Sequence, residues 1–354
     1  MNKFILTVVI WLIAIASNAQ VNQPRIGAYY FDGWKKLKGN PHLTSLLINE
    51  FSEREPKWGW VTSTQKNVDN QIIAASEAGL SFFSFCWYYN KKYPVDTSNR
   101  ALSYFNKSKV NAKLEFCLMV ANHEGYEIGP AEWPIVCDEW IKQFKSAKYL
   151  KVDGKPLIIF FSVGSLAKKF KTTENIKEAF KVLRERAIGQ GLAGVTIAAC
   201  VGNSKKEIRL ATESTFDNIT GYNYHGYGFL DRQKDVAKVP IAKMQLVEKG
   251  LWSTLSNMSE LPYIPVSTLN WDPRPWKVVG SAKVVPYFSG FSSKSVYRSV
   301  TNCVEWMNLN VDKTTKEKIA ILYAWNEYGE GAYLTPSKTG GNVLIGVKKA
   351  LSKK

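Results

Sequence analysis

Two carboxylic acids three residues apart, Glu327 and Glu330, stand in the segment ILYAWNEYGEG (321–331). An apolar run leads straight into them, and Trp325, Asn326 and Tyr328 stand around them. A strand fixes its last residue rigidly, and the residues that follow can turn over whatever lies at the strand's end. Two acids on such a turn can address one substrate from neighbouring directions. Hydrolysis of a glycosidic bond needs this: one acid protonates the leaving oxygen, and a second carboxylate supports the electron-poor anomeric centre. A lone ExxE pair otherwise caps a helix or pairs with a lysine, so its meaning depends on the element that presents it.

That element is one of eight. Short runs rich in β-branched and aromatic residues recur at 26–31, 80–89, 112–122, 156–163, 194–201, 218–225, 263–271 and 319–327. They are nearly continuous in apolar character, which marks parallel strands buried on both faces. Amphipathic stretches lie between several of them, at 65–79, 132–150, 172–191 and 294–310, and 341–354 closes the chain. Alternation of this kind predicts a single (β/α)8 TIM-type barrel over residues 20–354, with enlarged loops at the C-terminal face of the strands. A doubly wound open sheet is the rival, but YYFDGWKKLKGN after the first run is no Gly-rich phosphate turn.

In such a barrel the site forms where the C-terminal strand ends meet. Those ends supply Tyr29, Tyr30 and Asp32, then Trp87 and Tyr88, then Asn122, His123 and Glu124. Later runs add Tyr222, Tyr224 and His225, then Asn270 and Trp271, then Trp325, Asn326 and Tyr328 beside the two acids. Ring faces stack on sugar C–H surfaces, and amides and imidazoles fix hydroxyls. Trp87, Trp271 and Tyr224 are expected to be sugar-facing platforms, because they end separate strands. The pKa of Glu330 is expected to be raised by Glu327 and by the rings of Trp325 and Tyr328.

Composition narrows the partners. The chain has 354 residues, 12 Trp and 17 Tyr, an aromatic surplus that suits either a ligand cleft or a core. Its net charge of +17 suits an acidic glycan, although many lysines fall in helical or loop segments where a solvated basic surface accounts for them. No arginine-rich tract, nucleic-acid motif or phosphate loop is present, so no nucleic-acid partner and no cofactor are expected. Five cysteines at wide spacing, three of them inside apolar runs, look like small buried hydrophobes. A metal-dependent hydrolase using His123, His225 and Asp272 would lack any short His-ligand motif, so no metal is expected.

The segment AWNEYGEGAYL resembles the WNEW-x-EG segment of the family 99-like glycoside hydrolases, a group that includes endo-α-mannosidases and a related domain named for an O-antigen glycosyltransferase. GAYYFDGW, KWGW, GLSFFSFCWYY, MVANHEG and YLKVDGKPLIIFF resemble other segments of that group in the same order, so the resemblance spans nearly the whole chain. It implies a (β/α)8 barrel and retaining hydrolysis at an α-linked sugar, such as a mannoside. It also implies roles: Glu327 as base on the sugar's own 2-hydroxyl, and Glu330 as general acid/base at the leaving group. Tyr328 stands where the pattern has Trp, and Gly329 where it has a larger or polar residue. Two other functions fit a barrel with this rim, a glycosyltransferase of surface polysaccharide synthesis and a non-catalytic glycan-binding barrel.

The N-terminus reads as a leader. A short basic start, the apolar run FILTVVIWLIAIA and small residues at the −3 and −1 positions of SNA predict a signal peptide over residues 1–19. No further run of spanning length follows, so the mature protein is expected to be exported to the periplasm or medium without stable membrane insertion. Intact mass of protein from the native host's envelope checks this. A mass beginning at Gln20 is expected, and one that retains Met1–Ala19 refutes cleavage.

Overall fold

Each of the eight apolar runs contains or adjoins a strand of one parallel barrel. The strands are β1 (Arg25–Tyr30), β2 (Phe82–Trp87), β3 (Glu115–Val120) and β4 (Lys155–Phe160). They continue with β5 (Thr196–Cys200), β6 (Asn218–Thr220), β7 (Val266–Thr268) and β8 (Ile319–Tyr323). In this computed structural model, residues 23–90, 99–276 and 284–352 are described. The expected leader, residues 1–19, lies outside them. Chain neighbours pair in parallel from β1 to β6, β7 pairs with β8, and β8 returns to β1. Closure falls between β6 and β7, where Ile219 and Tyr263 bridge in parallel and Ile264 N donates to Ile219 O at 2.9 Å.

Alternation sorts the side chains of every strand into a barrel interior and a helix-facing exterior. In β2, Ser84 and Cys86 face inward, while Phe83 and Phe85 pack outward, both against Phe105 of the helix Arg100–Lys107. Trp87 has the same outward parity and packs edge-on to Trp140 of the helix Trp133–Phe144. The five cysteines are buried free thiols.

Loops at the C-terminal face are unequal. After β4 and β5 the chain passes almost directly into helices whose N-caps, Ser162 and Ser204, accept from the backbone N–H of Ser165 and Glu207. After β1, β6, β7 and β8 it instead makes long excursions before the next helix of the barrel. These four enlarged loops carry most of what could be a site. The helix expectations at 65–79, 132–150, 172–191, 294–310 and 341–354 correspond to Gln65–Glu77, Trp133–Phe144, Thr173–Gly189, Ser293–Leu309 and Leu344–Leu351. Helices such as Lys205–Glu213 and Ile241–Met258 were not anticipated. The second contains an internal Gly and several Ser and Thr residues, so packing against the sheet decides its state more than propensity does. Among the described residues no helix is long and apolar enough to cross a membrane.

One buried acid stands outside the barrel mouth. Glu248, on the helix Ile241–Met258, is 1% exposed and accepts from Thr268 N at 2.7 Å and Ser267 Oγ at 2.9 Å. Burial pushes its carboxyl up to about 7, against the lowering effect of those two bonds. In the unfolded chain it ionises near 4.5; in the folded chain it keeps its proton to about 7. Its contribution is therefore greatest below pH 4.5 and declines as pH rises to 7. Glu248→Gln keeps an acceptor for Thr268 and removes the titration. Thermal melts at pH 5 and pH 8 should show a smaller loss of stability in the variant, by on the order of 2 kcal/mol. An identical pH slope in both proteins would refute this account of Glu248.

Candidate active site

β8 delivers the chain to the barrel mouth, and Asn326 fixes it there. The Asn326 side-chain amide accepts from Phe31 N at 2.8 Å and donates to Phe31 O at 2.7 Å, so it copies a strand pairing beyond the end of β1. Trp34 Nε1 donates to Asn326 O at 2.7 Å. Asn326–Glu327 then pairs antiparallel with Ala332–Tyr333, and a single 3-10 turn, Tyr328–Glu330, joins the two short strands. Gly331 ends that turn at φ +68, a conformation that suits glycine. Gly329 has a steric reason: a Cβ there would lie 2.1 Å from the Trp276 ring. The small residue that sets this segment apart from the resembled pattern thus lets Trp276 close against the turn.

Glu327 and Glu330 line one cavity of about 490 Å³ with Phe31, His42, Tyr88, Met119, Ala121, His123, Phe161, Tyr222 and Trp276. Neither Lys nor Arg is among its lining residues. Two tyrosines hold the acids. Tyr222 Oη donates to Glu327 Oε1 at 2.9 Å, and Tyr323 Oη donates to Glu330 Oε2. Burial raises both carboxyls, Glu327 to about 7 and Glu330 to about 8, with the Tyr222 bond opposing the rise at Glu327. The expected elevation at Glu330 is present, but its cause is desolvation; Trp325 and Tyr328 point elsewhere. An adjoining cavity of about 400 Å³ shares Phe31, His42, Tyr88 and His123 and extends to Asp32, Lys35 and Lys36. A larger cavity of about 620 Å³ lies against Gly331, Arg54 and Asp272, shares no residue with the first and contains neither acid.

Of the residues expected at the site, Tyr88, His123, Tyr222, Glu327 and Glu330 come together in the first cavity. Tyr29 stands behind Tyr222, ring centroids 4.9 Å apart, and donates to Gly221 O. Asp32 is buried, accepts from Ala101 N at 2.7 Å and lines only the adjoining cavity. Several expectations are corrected. Tyr30 packs outward against Phe83 and Phe85. Trp87 is 7% exposed and packs on Trp140, so it is a core ring and no platform. Tyr224 is 2% exposed, its hydroxyl 3.0 Å from that of Tyr263. Trp325 is fully buried between Phe83 and Gln71, to which its Nε1 donates at 2.9 Å. Tyr328 is fully buried against Trp34 and Trp60. Asn326, also fully buried, has its side-chain amide paired with the Phe31 backbone instead of facing a sugar. Asn122 exchanges two bonds with the Ser162 backbone and ties β3 to β4. Asn270 donates to Gly331 O at 2.8 Å, behind the turn. Glu124 is exposed and outside the cavity lining. His225 and Trp271 stack on each other, centroids 3.5 Å apart, also outside it. Asp272 is paired with Arg54 and Arg274, not with a histidine.

Sequence reading missed Phe31, His42, Met119, Phe161, Trp276 and Tyr323. Parity could have found four of them. Where Tyr29 faces in, so does Phe31; the same step of two reaches Met119 from Cys117 and Tyr323 from Ile321, and Phe161 is out of step with the outward Phe160. His42 and Trp276 lie in the long loops after β1 and β7, where no periodicity places a side chain.

A pair of variants separates rim from core. Trp276, 37% exposed over the cavity, should lose glycan binding as Trp276→Ala while its melting temperature stays near wild type. Trp87→Ala should instead destabilise the fold by about 3–5 kcal/mol, the usual range for truncating a buried Trp. Calorimetry and glycan titration on both proteins check the contrast; a Trp276→Ala protein that unfolds would place that ring in the core.

The sequence model of the family described as Glycosyltransferase WbsX matches residues 60–347. No curated protein matches the chain. A solved structure described as a glycoside hydrolase-like protein aligns with TM-score 0.67 at 13% identity, covering 95% of this chain and 96% of that one. The GH99 endo-alpha-mannosidase from Bacteroides thetaiotaomicron aligns with TM-score 0.61 at 10% identity, covering 92% and 95%. At such identities the likeness is one of fold, a (β/α)8 barrel. The family match covers most of the chain, and the chain therefore belongs to the WbsX glycosyltransferase family.

Proposed function

We propose that the protein is an exported glycoside hydrolase that cleaves an α-linked glycan with retention, using Glu327 and Glu330. One observation carries this reading: two carboxyls three residues apart share a cavity at the barrel mouth, where burial raises both toward neutrality. With both groups raised into the neutral range, the pair holds a single proton over part of that range, and the motif resemblance assigns it to Glu330. That is the state in which one group is a base and the other an acid.

The resemblance to the family 99-like hydrolases implies the reaction that this state can run. Glu327 takes the proton of the sugar 2-hydroxyl as O2 attacks the anomeric carbon. Glu330 gives its proton to the departing oxygen, and a 1,2-anhydro sugar results. Glu330, now ionised, takes a proton from water as the water oxygen attacks the anomeric carbon. The C1–O2 bond breaks, and Glu327 returns its proton to O2. Two inversions give retention, and both acids end as they began. Tyr222 and Tyr323 keep the carboxyls oriented through neutral donors, which do not lock either group into its ionised form.

The sugar at the cleaved bond is read as uncharged, because two carboxyls and neither Lys nor Arg line its cavity. An acidic substituent would fit the adjoining cavity, near Lys35 and Lys36. The GH99 neighbour acts as an endo-alpha-mannosidase, so α-mannosides head the panel of α-linked and acidic glycans to be tested, with released sugars read by mass. The family's description supports a second reading, a glycosyltransferase. A parallel incubation with sugar nucleotides decides between them: release from a glycan without any nucleotide sugar supports hydrolysis, and consumption of nucleotide sugar alone reverses the assignment.

Two measurements test the roles. For wild type, kcat/KM should rise with pH through the ionisation of Glu327 near 7 and fall as Glu330 loses its proton near 8. Glu327→Gln should abolish turnover on every substrate. Glu330→Gln should lose about 10²–10⁴-fold on an ordinary glycoside and much less on one with an activated leaving group. Near-wild-type activity in both variants would end the catalytic claim.

A further inference from the structure

The backbone that presents Glu330 is held from behind by an arginine. Arg54 is 4% exposed and stacks on Phe51 with its guanidinium 4.3 Å from the ring centroid. Its Nη1 donates to Tyr328 O at 3.0 Å and to Asp272 O at 3.1 Å, and its Nη2 donates to the Asp272 carboxylate. Arg274 grips the same carboxylate from the other side, through Nε at 2.7 Å and Nη2 at 2.8 Å. Asp272 N in turn donates to Glu330 O at 2.7 Å. Both carbonyls that bracket Gly329 are thus satisfied by Arg54 or by the residue it holds. A Cβ on Gly331 would lie 3.1 Å from Arg54 Cζ and from Asp272 Cβ, so the turn has little room to shift toward them.

We infer that Arg54 is a positioning residue for Glu330, acting through the Tyr328 and Asp272 backbone and touching neither substrate nor either carboxyl. The inference rests on the hydrolase reading for its effect on turnover. Glu327 is held independently: its carboxyl receives Tyr222, its backbone pairs with Ala332, and the preceding Asn326 is tied to Phe31 and Trp34. Loss of Arg54 should therefore impair the acid and spare the base. A cation is used here for geometry, because a planar fork can bind two carbonyls and a carboxylate at once, which an ammonium cannot. It sits outside the cavity lining of the two acids, and so it leaves their protons in place.

The test uses the full chain as wild type, Arg54→Lys and Arg54→Ala. Arg274 still neutralises Asp272 in both variants, which favours folding, and Arg54→Lys keeps the charge as well. The first readout is the carboxyl ¹³C titration of Glu327 and Glu330, assigned with Glu327→Gln and Glu330→Gln. In both Arg54 variants the Glu330 midpoint should fall toward the ordinary range as the turn loosens and water enters, while Glu327 stays within a few tenths of wild type. The second readout is turnover of a matched pair, an α-glycosyl fluoride and an α-linked disaccharide of the sugar identified by the glycan panel. Fluoride leaves without a proton. Read as kcat/KM, which reports the steps up to departure of the leaving group, the disaccharide should fall about 10–100-fold, in line with a misplaced general acid, and the fluoride by less than about 3-fold. Equal losses on both substrates, or an unmoved Glu330 midpoint, overturn the inference. If wild type cleaves neither substrate, the hydrolase reading fails, and the titration alone still decides whether Arg54 positions Glu330.

Discussion

The site hangs on one side-chain amide. Asn326 pairs in both directions with the backbone of Phe31, so the last barrel strand is joined to the first beyond the point where the sheet itself has ended. Glu327 is the next residue, and its direction is set by that junction. Phe31 becomes a wall of the cavity by the same bonds. An amide suits this place because it carries a donor and an acceptor in the geometry of a peptide group, and it satisfies a buried backbone N–H and C=O that would otherwise be costly. Aspartate in its place would face the Phe31 carbonyl with a second oxygen and no donor.

Around that junction, carboxyls and guanidiniums are kept apart. The carboxyls meet tyrosine hydroxyls, which donate one bond each and add no formal charge. Desolvation can therefore dominate, and both groups rise toward neutrality. A guanidinium in the same cavity would hold them ionised and remove the proton that the proposed acid needs. The two arginines nearby are spent on Asp272 and on backbone carbonyls instead. Position and protonation are thus controlled by separate sets of residues, rigid ionic contacts behind the turn and neutral aromatic ones in front of it.

How far the sequence showed this follows from periodicity. Eight apolar runs separated by amphipathic stretches announce the barrel, since only strands buried on both faces read that way. The acids are legible because they follow such a run by a few residues. The rings are harder. A run such as SFFSFCWYY carries large rings at both parities, so its apolar character does not say which parity faces the barrel axis. Trp87 and Tyr88 are neighbours at one strand end, and one belongs to the helix layer while the other lines the cavity. A clue existed in β2, where the small Ser84 and Cys86 alternate with Phe83, Phe85 and Trp87; a narrow barrel interior favours the smaller set. Trp325 misled for another reason: β8 ends at Tyr323 and the chain bends at residue 325, so strand parity no longer applies although Trp325 N still donates to Tyr29 O.

Long loops resist sequence reading altogether, and here they complete the site. His42 reaches the cavity from the excursion after β1, and Trp276 from the one after β7. Neither residue lies in a periodic segment. Their placement depends on contacts between loops: Thr44 Oγ1 donates to Pro275 O at 3.0 Å, and the His42 and Trp276 rings meet edge to face at 6.0 Å. Glycine at position 329 is what makes room for this arrangement, because any side chain there would displace Trp276. The residue that looks like a loss beside the resembled motif is therefore coupled to a ring far away in the sequence. A larger residue at 329 and Trp at 276 are sterically exclusive in this backbone, so the wall above Glu330 is supplied by one loop or the other, but not by both.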